Sequence, residues 1–336
     1  MKVYAVHIGQ TKVPYGQLYG GKDWTGLHGF WRFVTDKNHY ILVPIYAYLI
    51  DHPQAGLVLV DAGINWQQAN EHNQYYKGPL LHLLLDEDEY QLTREQELGA
   101  QVQRLGYRCE DIHTVILTHI HEDHVGGLPA VPEAKLIVSQ VEWHANALGP
   151  FFPVAKSPTV VGRKTELISF SSGPFQNFER SQDLLGDGSI LLLPTPGHTP
   201  GHLCVLVQME GYQLLMTGDT MYTLRHLAVD QVRAIMLGKT TQEQQIASVR
   251  RIQQLRQAEP SMIIAPMHDH TDYMRKLLEP FLADGDLSPG ERQAIKTYEA
   301  RLFEKGYSLT KSALPHFLPP QNKGRVGTVT EPEPSL

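Results

Sequence analysis

LTHIHEDHVGGL, residues 117–128, places His119, His121, Asp123 and His124 within six consecutive positions. The apolar run from Thr114 that leads into it has strand length, and α/β folds carry their chemistry on loops leaving the carboxyl ends of strands. Three imidazoles and a carboxylate at this spacing combine borderline-soft nitrogen with hard oxygen donors, a set that suits Zn, Fe, Co or Mn. Gly126 and Gly127 follow at once and let the backbone turn tightly around such a centre. A His-rich surface loop would give the same letters. The discriminating question is whether later strands also end on donor residues, because four candidates cannot complete two metal shells.

Three later runs do so. Ser189–Leu193 leads into Pro194-Thr-Pro-Gly-His198, Leu214–Met216 into Thr217-Gly-Asp219, and Met262–Ala265 into Pro266-Met-His268. Each alone is weak, since a strand-end His is more often a packed residue and Gly-Asp more often a turn. ILVPIYAYLI ending at Ile50, LVLVDAG from Leu57, KLIVS from Lys135 and LCVLV from Leu203 supply further strands. Several are too continuous to be half-exposed, which predicts a sheet covered on both faces. Helical patterns over Thr93–Leu105, Gln140–Leu148, Thr241–Leu255 and Asp272–Leu282 lie between them, with Thr93 and Gln96 as a capping box and Gly106 as a stop. Strands alternating with helices predict an α/β sandwich. Glu291–Lys305 predicts one more helix, and the five prolines of Ser312–Leu336 predict an extended or disordered tail.

Composition narrows the partners. The 336 residues are 42% apolar and 19% charged, an ordinary globular balance. With 29 Lys and Arg against 36 Asp and Glu, the net charge of -7 offers no positive field to a phosphate backbone, so nucleic acid is not an expected partner. Cys109 and Cys204 cannot make a disulfide framework and suit a reducing compartment. MKVYAVHIGQTKVPYG has no apolar stretch of signal-peptide length, and Ile41–Ile50, interrupted by Pro44, is about half of a bilayer span. A soluble cytoplasmic protein with no membrane partner is the expectation. The 17 His stand out and require a chemical reason.

The ordered set HxHxDH, then His, then Asp, then His resembles the metallo-β-lactamase fold superfamily, over roughly Ile41 to Leu282. The resemblance implies an αββα sandwich with a dinuclear metal site at the sheet edge. His119, His121 and His198 would hold the first metal, and Asp123, His124 and His268 the second, with Asp219 and a hydroxide bridging two divalent ions, Zn first among them. It also implies one hydrolase domain over 1–311, with its core over about 41–282 and a helical extension over about 283–311, ahead of the tail at 312–336. Asp61 falls at the superfamily's Asp-Thr-Gly turn, as a buried acceptor or a plain strand-end turn. His202 and His270 are expected to support the site and not to ligate. Two such ions bring four positive charges, and Asp123, Asp219 and hydroxide remove three. The remaining charge of about +1 would be neutralised by one developing oxyanion.

Three segments resemble the N-acyl homoserine lactone lactonases within that superfamily: DEDEYQLTREQELGAQVQRLGYRCEDIHTVILTHIHEDH from Asp86, the doubled TPGHTPGH from Thr195, and Gly218-Asp219-Thr-Met-Tyr222. Asp219 also stands where many metallo-β-lactamases carry Cys, which disfavours a β-lactam substrate. The resemblance implies a small lactone substrate opened by the bridging hydroxide. Asp123 would pass a proton to the leaving alkoxide, and Tyr222 would reach the lactone oxygens unless it is simply a packed aromatic. Glu122, Met267 and the chain's length depart from the pattern. The insert between Asn65 and Asp86, with Tyr75, Tyr76 and the LLHLLL run from Leu80, would line an acyl channel, or else pack against the body or a partner in a homodimer; Phe151 and Phe152 carry the same two readings. Glyoxalase II-like thioester hydrolysis, suggested by Arg292, Lys296, Arg301 and Lys305, is the alternative within hydrolysis. A mononuclear iron persulfide dioxygenase is the alternative outside it.

Overall fold

The apolar run around Pro44 folds as a long strand, Tyr40–His52, paired along its length with an N-terminal strand, Lys2–Pro14, that hydrophobic patterning did not single out. Val3, Val6 and Ile8 of that strand are buried, but Thr11, Gln10 and Lys12 interrupt the apolar signal. Pro44 stands opposite Gln10, beside a register shift between His7 and Gln10, where a residue without an N–H is tolerated. The computed structural model describes residues 1–19, 26–35, 40–75, 89–145, 159–228 and 239–304.

In chain order the strands are β1 (Lys2–Pro14), β2 (Tyr40–His52), β3 (Gly56–Val60), β4 (Tyr90–Gln91), β5 (Ile112–Ile116), β6 (Lys135–Ser139) and β7 (Thr165–Ile168). They continue with β8 (Gln182–Asp183), β9 (Ile190–Pro194), β10 (Leu203–Met209), β11 (Tyr212–Met216) and β12 (Ile263–Ala265). The first seven form one sheet in the order β4-β1-β2-β3-β5-β6-β7, and the other five form a second in the order β12-β11-β10-β9-β8. From β3 through β7 the first sheet is parallel, so the loops after β3 and β5 open at one end of it.

The alternation along β2 shows why its sequence is almost wholly apolar. Tyr46, Tyr48 and Ile50 face the second sheet and pack in one cluster with Val58, Ile116, Leu192, Val207 and Leu214. Ile45, Ala47 and Leu49 face the other way, into a cluster with Leu98 and Val102 of the helix Leu98–Arg104. On the far side, the helices Lys239–Ala258 and Pro289–Glu304 contribute Val249, Ile252, Leu255, Ile295 and Leu302 to the inter-sheet cluster. The result is the expected αββα sandwich.

Local expectations needed correction in two places. Thr93 and Gln96 do form a capping box, with the Thr93 N–H donating to Gln96 Oε1 at 3.1 Å, but it closes a 3-10 turn at Arg94–Gln96. The α-helix starts again at Leu98 because Glu97 is extended, at φ -56 and ψ 145. Gly106, at φ +86, ends it as anticipated. Asp272–Leu282 is a π-helical turn, Tyr273–Leu278, followed by a short α-turn at Glu279–Phe281 around Pro280. The helix at 289–304 buries Ile295 and Leu302 in the same core as the sheets. Of the insert, the short helices Trp66–Asn70 and His72–Tyr75 are seen. Tyr76, the run from Leu80, Leu148, Phe151, Phe152 and the tail at 312–336 lie outside the described residues. Among the described residues no helix is long and apolar enough to cross a membrane, and Cys109 and Cys204 are both free.

Candidate metal centre

The ends of β5, β9, β11 and β12 meet at one edge of the sandwich, and each delivers its donors there. The loops from the two sheets are stitched by a backbone bond from Leu203 N–H to Thr118 O at 2.9 Å. His119, His121, His198 and Asp219 form one group of donor atoms, and Asp123, His124 and His268 a second, the atoms within each lying no more than 4.8 Å apart. All seven residues singled out in the sequence are therefore brought together.

In the first group His198 Nε2 lies 2.7 Å from His119 Nε2 and 2.8 Å from His121 Nδ1. Three ring nitrogens converging on one point is an arrangement that a single proton cannot satisfy and a cation can. Asp219 lies between the groups. Its Oδ2 is 3.1 Å from His198 Nε2, while its Oδ1 is 3.1 Å from His268 Nε2 and 3.3 Å from His124 Nε2. Asp123 Oδ2 stands 3.4 Å from His268 Nε2, and its side chain is the more open of the two carboxylates, 17% exposed against 4%. Each group has the donor chemistry to hold a divalent ion, and the Asp219 carboxylate reaches both.

The surrounding bonds set the imidazole tautomers. His124 Nδ1–H donates to Asp61 Oδ2 at 2.8 Å, and His268 Nδ1–H donates to the Pro44 carbonyl at 2.9 Å, so each turns Nε2 to the centre. Thr118 donates its hydroxyl to Asp61 Oδ2 at 2.7 Å and in turn accepts His119 Nδ1–H at 3.1 Å, which leaves Nε2 of His119 for the centre as well. Behind Asp219, its own N–H donates to His202 Nε2 at 3.0 Å, and His202 Nδ1–H reaches Thr195 Oγ1 at 2.9 Å. His202 thus supports the site as expected, whereas His270 sits against the Tyr19 ring, outside both groups.

Electrostatics agree with cation binding. Burial, reinforced by neighbouring imidazoles, holds His119 well below the usual histidine range; His198 is also held there, by burial, which outweighs the opposing pull of Asp219. Burial also pulls on His124 and His268, but the carboxylates outweigh it. Asp61, Asp219 and Asp123 raise His124, and Asp219 and Asp123 raise His268. Burial disfavours the Asp219 anion, yet His198, His268 and His124 more than compensate and keep it well below its ordinary value. His119 and His198 thus present unprotonated nitrogens to the buried Asp219 anion, whereas a cation taken up beside His124 and His268 would displace protons that the carboxylates favour there.

The Tyr222 ring is buried over the two groups, its centroid 5.5 Å from that of His268 and 6.2 Å from that of His198. Glu122 turns away, accepting a hydrogen bond from Gln68 Nε2 at 3.2 Å, and Met267 is buried in the inter-sheet core. Sequence reasoning missed three supports. Gln68 pairs with Asn65 in a capping box and braces the 122–126 turn, which Gly126 permits because a Cβ there would meet Gln68 Oε1 at 1.9 Å. Gln245 donates to the Thr220 carbonyl at 2.7 Å. Glu142 accepts backbone N–H groups from two ligand loops. The doubled TPGH was a signal for the last of these, since Gly201 lies where Glu142 packs.

The family model of the metallo-beta-lactamase superfamily matches residues 40–286. The chain is 28% identical over 223 residues to the N-acyl homoserine lactonase AttM of Agrobacterium fabrum, covering 62% of this chain and 80% of that one. It is 31% identical over 173 residues to the probable metallo-hydrolase Rv2300c of Mycobacterium tuberculosis, covering 50% and 54%. Among solved structures, an N-acyl homoserine lactone hydrolase with N-hexanoyl-L-homoserine bound at its catalytic metal centre superposes with a TM-score of 0.61 at 21% identity, over 80% of this chain and 93% of that one. The convergence of donor residues at strand ends, the two-sheet sandwich and the match over 40–286 agree: the chain belongs to the metallo-beta-lactamase superfamily.

Proposed function

We propose that this chain is a metal-dependent hydrolase that opens the ring of N-acyl homoserine lactones. The observation that carries the substrate is Tyr222, an aromatic alcohol three residues after Asp219, with its ring over both donor groups. The likeness to AttM over 223 residues supports the same reading. Two divalent ions held there, zinc being the best match to so many imidazoles, would polarise the lactone carbonyl and supply hydroxide near neutral pH.

The protein's own groups have separate tasks. Asp219 directs one oxygen to His198 and the other to His124 and His268, and so would be the residue that holds ions in the two groups at a fixed spacing. Tyr222 directs its phenol toward the carbonyl or ring oxygen, where negative charge grows as the water-derived oxygen bonds to the acyl carbon. The ring C–O bond then breaks. Asp123, in the second donor group and partly open to solvent, takes the proton from the water-derived oxygen and passes it to the departing alkoxide, which yields the N-acyl homoserine.

The test is turnover by metal-analysed protein of a panel of acyl homoserine lactones, γ- and δ-lactones, an aryl ester, S-lactoylglutathione and glutathione persulfide. Acyl homoserine lactones should lead the panel, with about two metals per chain. Preference for S-lactoylglutathione would move the assignment to a thioesterase, and one iron with oxygen consumption on the persulfide would move it to a dioxygenase.

A further inference from the structure

We propose that Glu142 is a positioning residue that clamps ligand loops from the two sheets into a single metal site. It comes from the short helix Gln140–Ala145, which directly follows β6, and is only 1% exposed. Its Oε1 accepts the backbone N–H of Ile120 at 3.2 Å, and its Oε2 accepts that of Gly201 at 3.1 Å. Ile120 lies between His119 and His121, on the loop leaving the seven-stranded sheet. Gly201 lies three residues after His198, on the β9–β10 loop of the five-stranded sheet. A carboxylate carries acceptor lone pairs on both oxygens, which is what two N–H groups arriving from different loops require.

The contact is close enough to dictate the residue opposite. A Cβ at position 201 would stand 2.0 Å from the Glu142 backbone nitrogen and 2.4 Å from its Cα, so only glycine allows the loop to come within reach. The second half of TPGHTPGH thereby gains a physical role: Gly201 meets Glu142, and His202 holds Asp219. The bond from Leu203 N–H to Thr118 O fastens the two loops at their strand ends. Glu142 grips them further out, one residue from each of two ligands on one side and three from His198 on the other. The spacing of His198 from His119 and His121 depends on that grip. In the other group His124 and His268 are oriented through Asp61 and Pro44 instead, so loss of the clamp should loosen one donor group selectively.

The inference rests on the two-group metal reading and not on the lactone as substrate, so its test reads metal affinity. Glu142→Gln keeps the volume but turns an NH₂ toward one of the two N–H donors. Metal-stripped wild type and variant would be titrated with cobalt(II) and with zinc against a competing chelator, and the melting of both apo forms followed by circular dichroism. One of two metal equivalents should bind about 10- to 100-fold more weakly in the variant. The cobalt absorption of the three-imidazole group should appear at correspondingly higher metal, with the other equivalent unchanged. Glu142→Asp, which keeps both acceptors on a shorter arm, should fall between, and it carries the same comparison if the Gln variant does not fold. Unchanged affinity at both equivalents, or equal weakening of both, overturns the clamp. A wild-type chain that takes up no metal overturns it together with the metal reading.

Discussion

Asp61 Oδ2 stands 2.8 Å from His124 Nδ1, and Asp61 holds that position in a left-handed backbone conformation, at φ +57. The same carboxylate accepts the Thr118 N–H at 2.8 Å and the Thr118 hydroxyl at 2.7 Å, so the end of β3 is tied to the ligand loop after β5 by one buried side chain. A non-glycine residue at positive φ costs about 1–2 kcal/mol, a strain that these three bonds offset. Asp61→Asn tolerates the same backbone but removes the charge and offers fewer acceptors. It should weaken the Asp123/His124/His268 position about 10- to 100-fold toward metal while leaving the fold intact. Chelator competition reads this directly; an unchanged second equivalent would reduce Asp61 to a turn residue.

Asp219 is the group that both donor clusters share. Asp219→Ala should release at least one metal per chain and abolish nearly all hydrolysis, because each cluster loses a ligand oxygen and the spacing between them is no longer fixed. Elemental analysis showing two metals alongside wild-type turnover would refute a bridging role.

Acid lability follows from His226. Burial, opposed by its bond to the Leu18 carbonyl, holds its pKa at about 4, and that bond is donated by Nε2 at 2.9 Å. Nδ1 is then left as the acceptor facing the Thr223 N–H at 3.4 Å. The unfolded chain takes up this proton near pH 6.5 and the folded chain only near 4, so between those values the unfolded state binds more protons. Stability must rise with pH there, and it is lost on acidification at about 1.4 kcal/mol per unit for this residue. Denaturant melts of the apo protein should show His226→Gln flattening that arm of the stability profile. An unaltered slope would mean that the histidine is already protonated in the fold.

Substrate preference should follow acyl length. Leu18, Tyr19, Ile41 and Val43 form an apolar cluster around Tyr222, and the net charge of -7 gives no anion-directed field. Affinity for lactones should therefore rise with chain length, by about 0.8 kcal/mol for each methylene buried, and depend little on salt. A flat series across hexanoyl to dodecanoyl chains would remove the apolar wall from the binding site.

The donor residues were legible because ligands must leave strand ends in a fixed order, and the apolar runs before His119, His198, Asp219 and His268 mark those ends. β2 was legible for a related reason, since both its faces are covered. β1 was not, because its polar residues fall between buried Val3, Val6 and Ile8 and partly buried Val13 without a clean period. Glu142 and Gln68 were also silent. Glu142 sits on a short helix and its partners are backbone groups far away in sequence, which leave no residue-type signature, while Gln68 joins a local cap with Asn65 to the distant Glu122 turn. Only the glycines that make room for them, Gly201 and Gly126, left a trace.

Tyr222 separates a lactonase from a generic member of the superfamily. Its ring is 5% exposed and belongs to neither donor group, so Tyr222→Phe should keep both metals and the fold. The phenol's expected work is to donate a hydrogen bond where charge develops during attack. Removing one such donor can cost on the order of 10²-fold in turnover, but bound metal shares that charge, which places the expected loss at about 10- to 100-fold. If the bond strengthens in the transition state, the loss should fall on kcat; if it only orients substrate, it should fall on KM. Steady-state kinetics on the acyl homoserine lactone series, with metal content measured on the same samples, makes the distinction. Unchanged kcat/KM for every lactone would return Tyr222 to packing with Leu18 and Val43 and remove the observation on which the lactone substrate rests.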